Sequence, residues 1–255
     1  VSHMIDNHTE QNRVAWNSVA HMFVDGSALP FWGPFGIGDD LGLLSNIEGK
    51  TFLELGCGSG RSIKYLTDRG AHRVYGLDIS DTQIQEATAY NKTAIQEGRA
   101  ELFRCAMEDG WNIEPVDYVF SVYGFGWTQH PEAALTNVYA HLKPGGEFIW
   151  SWDHAFFKDV HYENGAYVVR RSYHDESSIE TQNWKKDGCT VHVVYRKTDS
   201  WFRLMREAGF EVVGYHEPQP KSLYRAHAEP EKYYSIQKAS MVPASFIFVG
   251  RKPLV

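Results

Sequence analysis

Short apolar segments of strand length alternate with segments of helical periodicity between residues 50 and 150, and this alternation limits the possible folds more than any other feature of the chain. Strands are predicted at residues 51–55, 73–77, 101–104, 116–122 and 147–152, and helices at about 61–69, 80–95 and 131–142. Strands and helices in this order indicate βαβ units, and therefore a parallel sheet covered by helices on both faces. A sheet of this kind binds its ligand beyond the carboxyl ends of its strands. The loops after the first four strands are therefore the places to search for a site.

Residues 153–200 interrupt the alternation. Within them, segments 166–170 and 190–195 are predicted to form an antiparallel pair of strands. The pattern then resumes with a helix near 200–208, a strand at 210–215 and a closing strand at 245–250. No linker rich in Pro, Gly or Ser divides the chain. We expect a single domain over residues 1–255, with an N-terminal helical cap or lid over 5–48 and an inserted hairpin over 153–200 that shapes the substrate pocket.

The strongest chemical signal is the glycine-rich loop after the first strand, at residues 54–60, together with Asp78 at the end of the second. Its spacing is G-x-G-x-G. A dinucleotide-binding loop would have its third glycine, or an alanine, at the position of Arg61. Glu54 would also repel a pyrophosphate, but it suits a ligand that carries an ammonium group. Asp78 is placed to accept hydrogen bonds from two ribose hydroxyls. An ammonium group and a ribose without a phosphate describe S-adenosylmethionine.

With these residues the chain resembles the class I S-adenosylmethionine-dependent methyltransferases of the small-molecule type, and the resemblance extends from about residue 12 to residue 253. It implies a Rossmann-like α/β fold, with a mostly parallel seven-stranded sheet, an antiparallel last strand and helices on both faces. The turn at 142–146 and the segment 207–211 resemble the family's later motifs. The residues that the resemblance places around S-adenosylmethionine are Arg13, Glu54, Gly56, Cys57, Gly58, Gly60, Asp78, Ile79, Ala106, Met107, Glu108 and Ser121.

The loop after the third strand departs from the family pattern. Family members often have Gly-Asp-Ala where this chain has Ala106, Met107 and Glu108. The resemblance implies that this loop flanks the adenine. Because Met107 replaces the acid, we expect it to pack on the ring, while Glu108 or backbone groups supply the polar contact.

The N-terminal region offers two further candidates, each with two interpretations. The first comprises Arg13 and Trp16, which lie on a predicted helix that closes over the methionine end of the cofactor in similar enzymes. In the first interpretation, Arg13 pairs with the methionine carboxylate. In the second, Arg13 is a surface arginine and Trp16 is a core tryptophan. The aromatic segment 31–36 is either a lid on the substrate pocket, which we favour, or a loop packed on the core.

Methyl transfer from a sulfonium is an in-line displacement, so the protein contributes mainly alignment and the exclusion of water. A base is needed only if the acceptor is a hydroxyl or a protonated amine. His154 after the fifth strand, and Tyr123 and His130 after the fourth, are candidate catalytic bases or substrate anchors, with packing or surface roles as the alternative. No metal-ligand motif is present, so no metal site is expected.

The acceptor is expected to be a small, partly aromatic or apolar molecule, methylated on O, N or C. Aromatic residues cluster in sequence near the expected rim of the site: Trp127, Trp150, Trp152, Phe156 and Phe157. The formal net charge of −7 argues against a nucleic-acid partner, and no segment of membrane-spanning length is present. The three widely spaced cysteines indicate a reducing, cytoplasmic compartment. A homodimer remains open.

Two other functions compete with this interpretation. The first is a methyltransferase-like module that binds the nucleoside, or a partner, without transferring a methyl group. The second is an NAD(P)-dependent oxidoreductase, which Glu54 and Arg61 argue against.

Overall fold

The strands of the protein form one large sheet and two small ones. The computed structural model describes residues 7–254, so the first two residues of the expected N-terminal cap lie outside the described residues. The strands are β1 (Thr51–Leu55), β2 (Arg73–Asp78), β3 (Ala100–Arg104), β4 (Val116–Val122), β5 (Leu142–Asp153), β6 (Val160–Glu163), β7 (Ala166–Val169), β8 (Ile179–Thr181), β9 (Val191–Val193), β10 (Glu211–His216) and β11 (Ser245–Arg251). The α-helices are α1 (Asn7–Val19), α2 (Arg61–Thr67), α3 (Asp81–Tyr90), α4 (Lys92–Gln96), α5 (Pro131–His141), α6 (Thr198–Glu207) and α7 (Ile236–Ala239). Short 3-10 turns lie at Ala20–Met22, Pro34–Gly36, Asp39–Leu41, Phe125–Trp127, Phe157–Asp159 and Trp184–Lys186.

Seven strands build the large sheet in the order β10-β11-β5-β4-β1-β2-β3. β1, β2, β3, β4 and β5 run parallel to their neighbours in this set, and β11 runs antiparallel to both β5 and β10. The expected Rossmann-like sheet with an antiparallel last strand is thus confirmed. β2 and β3 lie on one side of β1, whereas β4 and β5 lie on the other, so the order of the strands reverses between β1 and β4. Open α/β sheets bind ligands in the crevice at such a switch point.

The core lies on both faces of this sheet, because parallel strands are buried on both sides. One face carries Leu53, Val119, Phe148 and Trp150, and the other carries Phe52, Phe120 and Ile149, all fully buried. The alternation along β4 and β5 sends successive side chains to opposite faces.

The predicted helix over 80–95 is two helices. Its start is confirmed, since the Ser80 hydroxyl accepts the Gln83 N–H at 3.2 Å. Its continuity is wrong, because the chain leaves helical geometry at Asn91. The buried Asn91 amide donates to the Ala87 carbonyl at 2.9 Å and to the Gly60 carbonyl at 3.0 Å. This side chain ends α3 and ties it to the glycine-rich loop.

The expected pairing of segments 166–170 and 190–195 is also wrong. β7 pairs with β6, and β9 pairs with β8, so residues 153–200 contain two separate antiparallel pairs. Each segment has a partner closer in sequence, and shorter loops cost less entropy to close. The sequence thus indicated antiparallel strands in this region but did not indicate which strands pair with each other.

Asp117 joins three strands at the edge of the sheet opposite the carboxyl ends. Its Oδ2 accepts the Thr51 N–H at 2.9 Å, the Thr51 hydroxyl at 2.8 Å and the Lys143 ammonium at 3.0 Å. Burial raises the pKa of this carboxyl, but the Thr51 hydrogen bonds and the Lys143 charge outweigh it and lower the pKa to about 2.

We expect Asp117 to make unfolding depend on acid. Its folded-state pKa lies below its unfolded value, so its stabilisation is present above about pH 4 and is lost as the pH falls towards about 2. In denaturant titrations, the wild type should lose about 1–2 kcal/mol more than Asp117→Asn across that window. Asp68→Asn, which removes an exposed carboxylate paired with Lys64, should follow the wild type. Parallel curves for Asp117→Asn and wild type would contradict the assignment.

No helix among residues 7–254 combines the length and the apolar character needed to cross a lipid bilayer.

Candidate active site

A cavity of about 760 Å³ opens at the carboxyl ends of β1 to β5. Its wall includes the loops after β1, β2, β3 and β4, the end of β5, α1, and the segment 225–234 that leads into α7. This is the position at which the order of the sheet reverses.

The glycine-rich loop needs its glycines for two different reasons. Gly56, Gly58 and Gly60 have φ values of 69°, 50° and 74°, in the left-handed region that favours glycine. Gly56 and Gly58 line the cavity, whereas Gly60 does not. A Cβ at Gly60 would lie 2.4 Å from the Asn91 amide nitrogen. Gly60 therefore permits the packing of the loop on α3, and the other two shape the cavity wall.

Asp78 is held at the end of β2 by backbone donors. Its Oδ2 accepts the Gly58 N–H at 2.9 Å, and its Oδ1 accepts the Ser80 N–H at 2.8 Å. Burial raises its pKa, and these hydrogen bonds oppose the rise. Because a carboxylate can accept about four hydrogen bonds, Asp78 keeps acceptor capacity beyond its backbone donors. Asp78 and the adjacent Ile79 line the cavity.

Glu54 is a buried carboxylate whose hydrogen bonding is incomplete. It is 3% exposed and lines the cavity. Its Oε2 has no hydrogen-bond partner within residues 7–254. Burial raises the pKa of this carboxyl well above its usual range, and a hydrogen bond from Ser62 opposes the rise. A buried charge is stable when it is paired, so this carboxylate fits a cationic ligand group.

The loop after β3 lines the cavity through Ala106, Met107 and Glu108, but most of its polar groups are engaged within the protein. The Ala106 N–H donates to Asp109 Oδ2 at 3.0 Å. Glu108 Oε1 accepts the Gln129 N–H at 3.2 Å and a hydrogen bond from the Thr128 hydroxyl. Glu108 thus fastens the β3 loop to the β4–α5 loop, which leaves Met107 as the side chain suited to pack on a ring.

Two further residues of the predicted cofactor set have mainly local roles in the structure. Ser121 is fully buried and does not line the cavity, since its hydroxyl donates to the Leu55 carbonyl at 2.7 Å and joins β4 to β1. Cys57 does line the cavity, and burial raises the pKa of its thiol well above the usual value. A thiol kept protonated is a poor nucleophile.

Arg13 lies on α1, as expected, but outside the cavity wall. Its guanidinium donates to Glu10 at 2.6 and 2.9 Å and also pairs with Asp81. These contacts tie α1 to α3. From the same helix, Asn12 and Trp16 line the cavity instead. The sequence predicted the helix, but it did not predict which of the helix's side chains line the cavity.

The three candidate catalytic residues have three different positions. Tyr123 lines the cavity, has a φ of 57° and shares a hydrogen bond with the Ser245 hydroxyl. His130 precedes α5 and does not line the cavity. His154 is buried outside the cavity wall, with Nε2 3.3 Å from Glu217 Oε1 and Nδ1 accepting the Phe156 N–H at 3.1 Å. Burial lowers the pKa of His154, and the Glu217 charge opposes the shift. Of the three, Tyr123 alone lines the cavity.

The structure brings in a group of residues that the sequence did not identify: Asp153, Tyr195, Tyr233 and Tyr234. Asp153 Oδ2 accepts the hydroxyls of Tyr233 and Tyr234, each at 3.1 Å. β5 ends at Asp153, one residue before His154, so the acid rather than the histidine borders the cavity. The adjacent tyrosines Tyr233 and Tyr234 were the sequence feature that could have drawn attention to this group. No local sequence pattern, however, predicts that they contact the end of β5.

Of the five aromatic residues expected at the rim, Trp127 and Trp152 line the cavity, with ring centroids 5.7 Å apart. The other three lie outside the cavity wall: Trp150, Phe156 and Phe157. Trp150 and Phe157 are fully buried in the core.

The segment 31–36 packs mainly on the core, so the lid that we favoured is not what the structure shows. Trp32 and Phe35 are buried, and Phe35 lies in an apolar cluster with Ile37 and Phe157. From this segment Pro34 alone reaches the cavity. The many apolar neighbours of this segment favour burial over a position at the cavity mouth.

Gly33 allows Tyr123 to occupy its position. Its φ is 145°, and a Cβ there would lie 2.2 Å from the Tyr123 ring. We expect Gly33→Ala to lower the free energy of unfolding by about 2–4 kcal/mol through backbone strain and overpacking. Gly42→Ala is the matched control, since Gly42 has a φ of 62° with open space around it, and should cost about 1–2 kcal/mol. Denaturant unfolding measures both. Equal losses would show that the Tyr123 contact contributes nothing.

Within the described part of the chain, no group of three or more His, Cys, Asp or Glu side chains is placed to hold a metal ion.

Comparison with known proteins decides the family. A family model described as a methyltransferase domain matches residues 37–215, more than half of the chain. The chain belongs to this methyltransferase family. The match confirms the expectation of a class I S-adenosylmethionine-dependent methyltransferase.

Individual relatives of this methyltransferase are distant. An uncharacterized protein of Haemophilus influenzae is 25% identical over 190 residues, covering 70% of this chain and 74% of that protein. A tRNA U34 carboxymethyltransferase of Klebsiella pneumoniae is 31% identical over 106 residues, covering 42% of this chain and 32% of that enzyme. The solved S-adenosylmethionine-dependent methyltransferase of Mesorhizobium loti shares the fold, with a TM-score of 0.69, 19% identity, and coverage of 89% of this chain and 99% of that one.

Proposed function

We propose that this methyltransferase transfers a methyl group from S-adenosylmethionine to an O, N or C atom of a small, partly aromatic molecule bound in the same cavity. One observation carries the proposal: the cavity has two chemically different halves. The half over β1, β2 and β3 presents the glycine-rich loop and the acidic side chains Glu54, Asp78 and Glu108, of which Glu108 is engaged by Thr128 and Gln129. The half over β4 and β5 presents mainly aromatic side chains.

The first half fits the cofactor. The incompletely bonded Glu54 would receive the ammonium group, and Asp78 would accept the ribose hydroxyls with its remaining lone pairs. Gly56 and Gly58 allow close approach of the backbone, and Met107 would pack against the adenine. When bound, S-adenosylmethionine supplies a methyl group already activated by its sulfonium.

The second half fits an aromatic or apolar acceptor. Tyr123, Trp127, Trp152, Tyr195 and Tyr234 line it, and aromatic walls with few polar groups are typical of small-molecule sites. Together with α1 and the segment 225–234 these residues would exclude water and hold the acceptor in line with the methyl group. Positioning of this kind lowers a barrier by up to about 7–11 kcal/mol.

A transfer assay tests this function. S-Adenosylmethionine labelled on its methyl group is incubated with the protein and, separately, with a low-molecular-weight cell extract and with total tRNA. We expect label to enter the small-molecule fraction. S-Adenosylhomocysteine binding without any transfer would instead favour a binding module.

A tRNA acceptor is the second candidate, favoured by the partial similarity to tRNA U34 carboxymethyltransferases. That similarity covers about a third of those enzymes, and the formal net charge of this chain is −7. Label that enters tRNA rather than small molecules would select this candidate.

We also propose a cytoplasmic location. Cys57, Cys105 and Cys189 are all free thiols, which suits a reducing compartment.

A further inference from the structure

Two buried carboxylates with an incompletely bonded oxygen line the same cavity. Glu54 Oε2 and Asp153 Oδ1 both lack a hydrogen-bond partner among residues 7–254. S-Adenosylmethionine carries one ammonium group, and Glu54 lies beside the glycine-rich loop that would receive it. Asp153 lies at the end of β5 in the other half of the cavity. The ammonium group of the cofactor therefore accounts for Glu54 but not for Asp153.

Asp153 is 4% exposed, and the side-chain hydrogen bonds that it accepts come from neutral tyrosine hydroxyls. Tyr233 and Tyr234 donate to Oδ2. A hydrogen bond from Tyr123, whose hydroxyl also bonds to Ser245, lowers the pKa of this carboxyl as well. Burial nevertheless raises the pKa of Asp153 to about 6, so the group is ionised at neutral pH. A buried carboxylate without a cation is costly.

Arg225 and Lys232 also line the cavity, but Lys238 is the cation whose charge lowers the pKa of Asp153, and it makes its hydrogen bonds elsewhere. Its Nζ donates to the carbonyls of Phe157 and Val160, each at 3.2 Å, and lies 3.7 Å from the centroid of the Phe157 ring. Its charge lowers the pKa of Asp153 from a distance, but no hydrogen bond joins the two groups. Oδ1 therefore keeps its acceptor capacity.

Aromatic side chains share the cavity wall with this carboxylate. The Tyr123 and Trp152 ring centroids are 5.6 Å apart, Tyr123 and Tyr234 are 6.4 Å apart, and Trp152 and Tyr195 are 6.4 Å apart. All four side chains line the cavity together with Asp153. The faces of aromatic rings attract cations, and a carboxylate among them adds a formal charge.

We propose that Asp153 and the aromatic side chains Tyr123, Trp152, Tyr195 and Tyr234 form an ammonium-binding subsite, and that the methyl acceptor is therefore a molecule that carries a protonated amine. This assignment rests on the proposed function, since it takes Glu54 to be occupied by the cofactor. It identifies a group by which the acceptor is recognised and leaves open which of its atoms is methylated.

The test compares two ligands of matched shape on protein saturated with S-adenosylhomocysteine. Phenethylamine carries an ammonium group where 2-phenylethanol carries a neutral hydroxyl. Calorimetry at about pH 8, where both Asp153 and the amine are charged, should show the amine binding about 10- to 100-fold more tightly. Asp153→Asn should abolish that preference while the affinity for S-adenosylhomocysteine is unchanged.

Asp159→Asn is the matched control. Asp159 is equally buried, lies six residues further along the chain and is paired with Lys158 at 2.6 Å outside the cavity wall. This variant should keep the amine preference but melt at a lower temperature, because it leaves a buried ammonium unpaired. Asp153→Asn should melt no lower than the wild type, since it removes an unpaired charge.

The outcomes separate this inference from the proposed function. Failure of the wild type to bind S-adenosylhomocysteine overturns the proposed function and the subsite with it. Normal cofactor binding with no amine preference, including no binding of either ligand, overturns the subsite alone. A preference that survives Asp153→Asn, or that Asp159→Asn also removes, overturns it as well.

Discussion

Glu54→Gln is expected to weaken the binding of S-adenosylmethionine and S-adenosylhomocysteine by about 2–4 kcal/mol, or about 30- to 1000-fold. The variant keeps the shape of the side chain but leaves the ammonium group of the ligand without a counter-charge in a buried site. The same change should raise the melting temperature of the ligand-free protein, because Glu54 is a buried carboxylate with an unsatisfied oxygen. Calorimetry and thermal unfolding measure the two effects.

The control for this prediction is a ligand rather than a variant. Adenosine has the sugar and the base but no ammonium group, so it should bind Glu54→Gln as well as it binds the wild type. An equal loss for adenosine would show that the substitution disturbs the whole glycine-rich loop. An unchanged affinity for S-adenosylhomocysteine would remove Glu54 from the cofactor site.

Asp78→Ala is expected to weaken S-adenosylhomocysteine and adenosine alike, by about 1–3 kcal/mol, because it removes the acceptors of the ribose hydroxyls. It should also lower the free energy of unfolding by a similar amount, since the N–H groups of Gly58 and Ser80 lose their acceptor. Calorimetry with both ligands and denaturant unfolding measure these losses.

Asp78→Asn separates the two roles of this side chain. One amide oxygen can still accept one backbone N–H, but the group no longer offers two oxygens to a ribose. The wild type should prefer adenosine to 2′,3′-dideoxyadenosine, and Asp78→Asn should lose most of that preference. A preference of the same size in both proteins would count against the ribose contact.

These two variants probe the half of the site that the sequence could identify. Glu54, the three glycines and Asp78 lie within 25 residues of one another, and their geometry follows from a strand, a turn and a helix in succession. Local rules of this kind also predicted the bounds of β4 and the Ser80 cap of α3. They failed at Asn91, where a buried amide reaches across to the glycine-rich loop and divides the helix.

Local sequence rules did not predict the half of the cavity over β4 and β5. His154 was a reasonable candidate for the rim, but β5 extends to Asp153, one residue beyond its predicted end. Asp153 therefore borders the cavity, and His154 packs near Glu217. Tyr234 reaches Asp153 from 81 residues away in the chain. The correct helix was assigned to Arg13, but ion pairs with Glu10 and Asp81 hold its side chain away from the cavity.

The sequence by itself determined the succession of the seven strands in the large sheet, the family and the position of the glycine-rich loop. Each of these depends on neighbours in the chain and on the periodicity of apolar residues. Only the tertiary structure decided which side chains meet over β4 and β5, because those side chains come from distant segments. Their contacts depend on how the segments after β5 pack, and strand pairing and loop packing are set by the free energy of the whole fold.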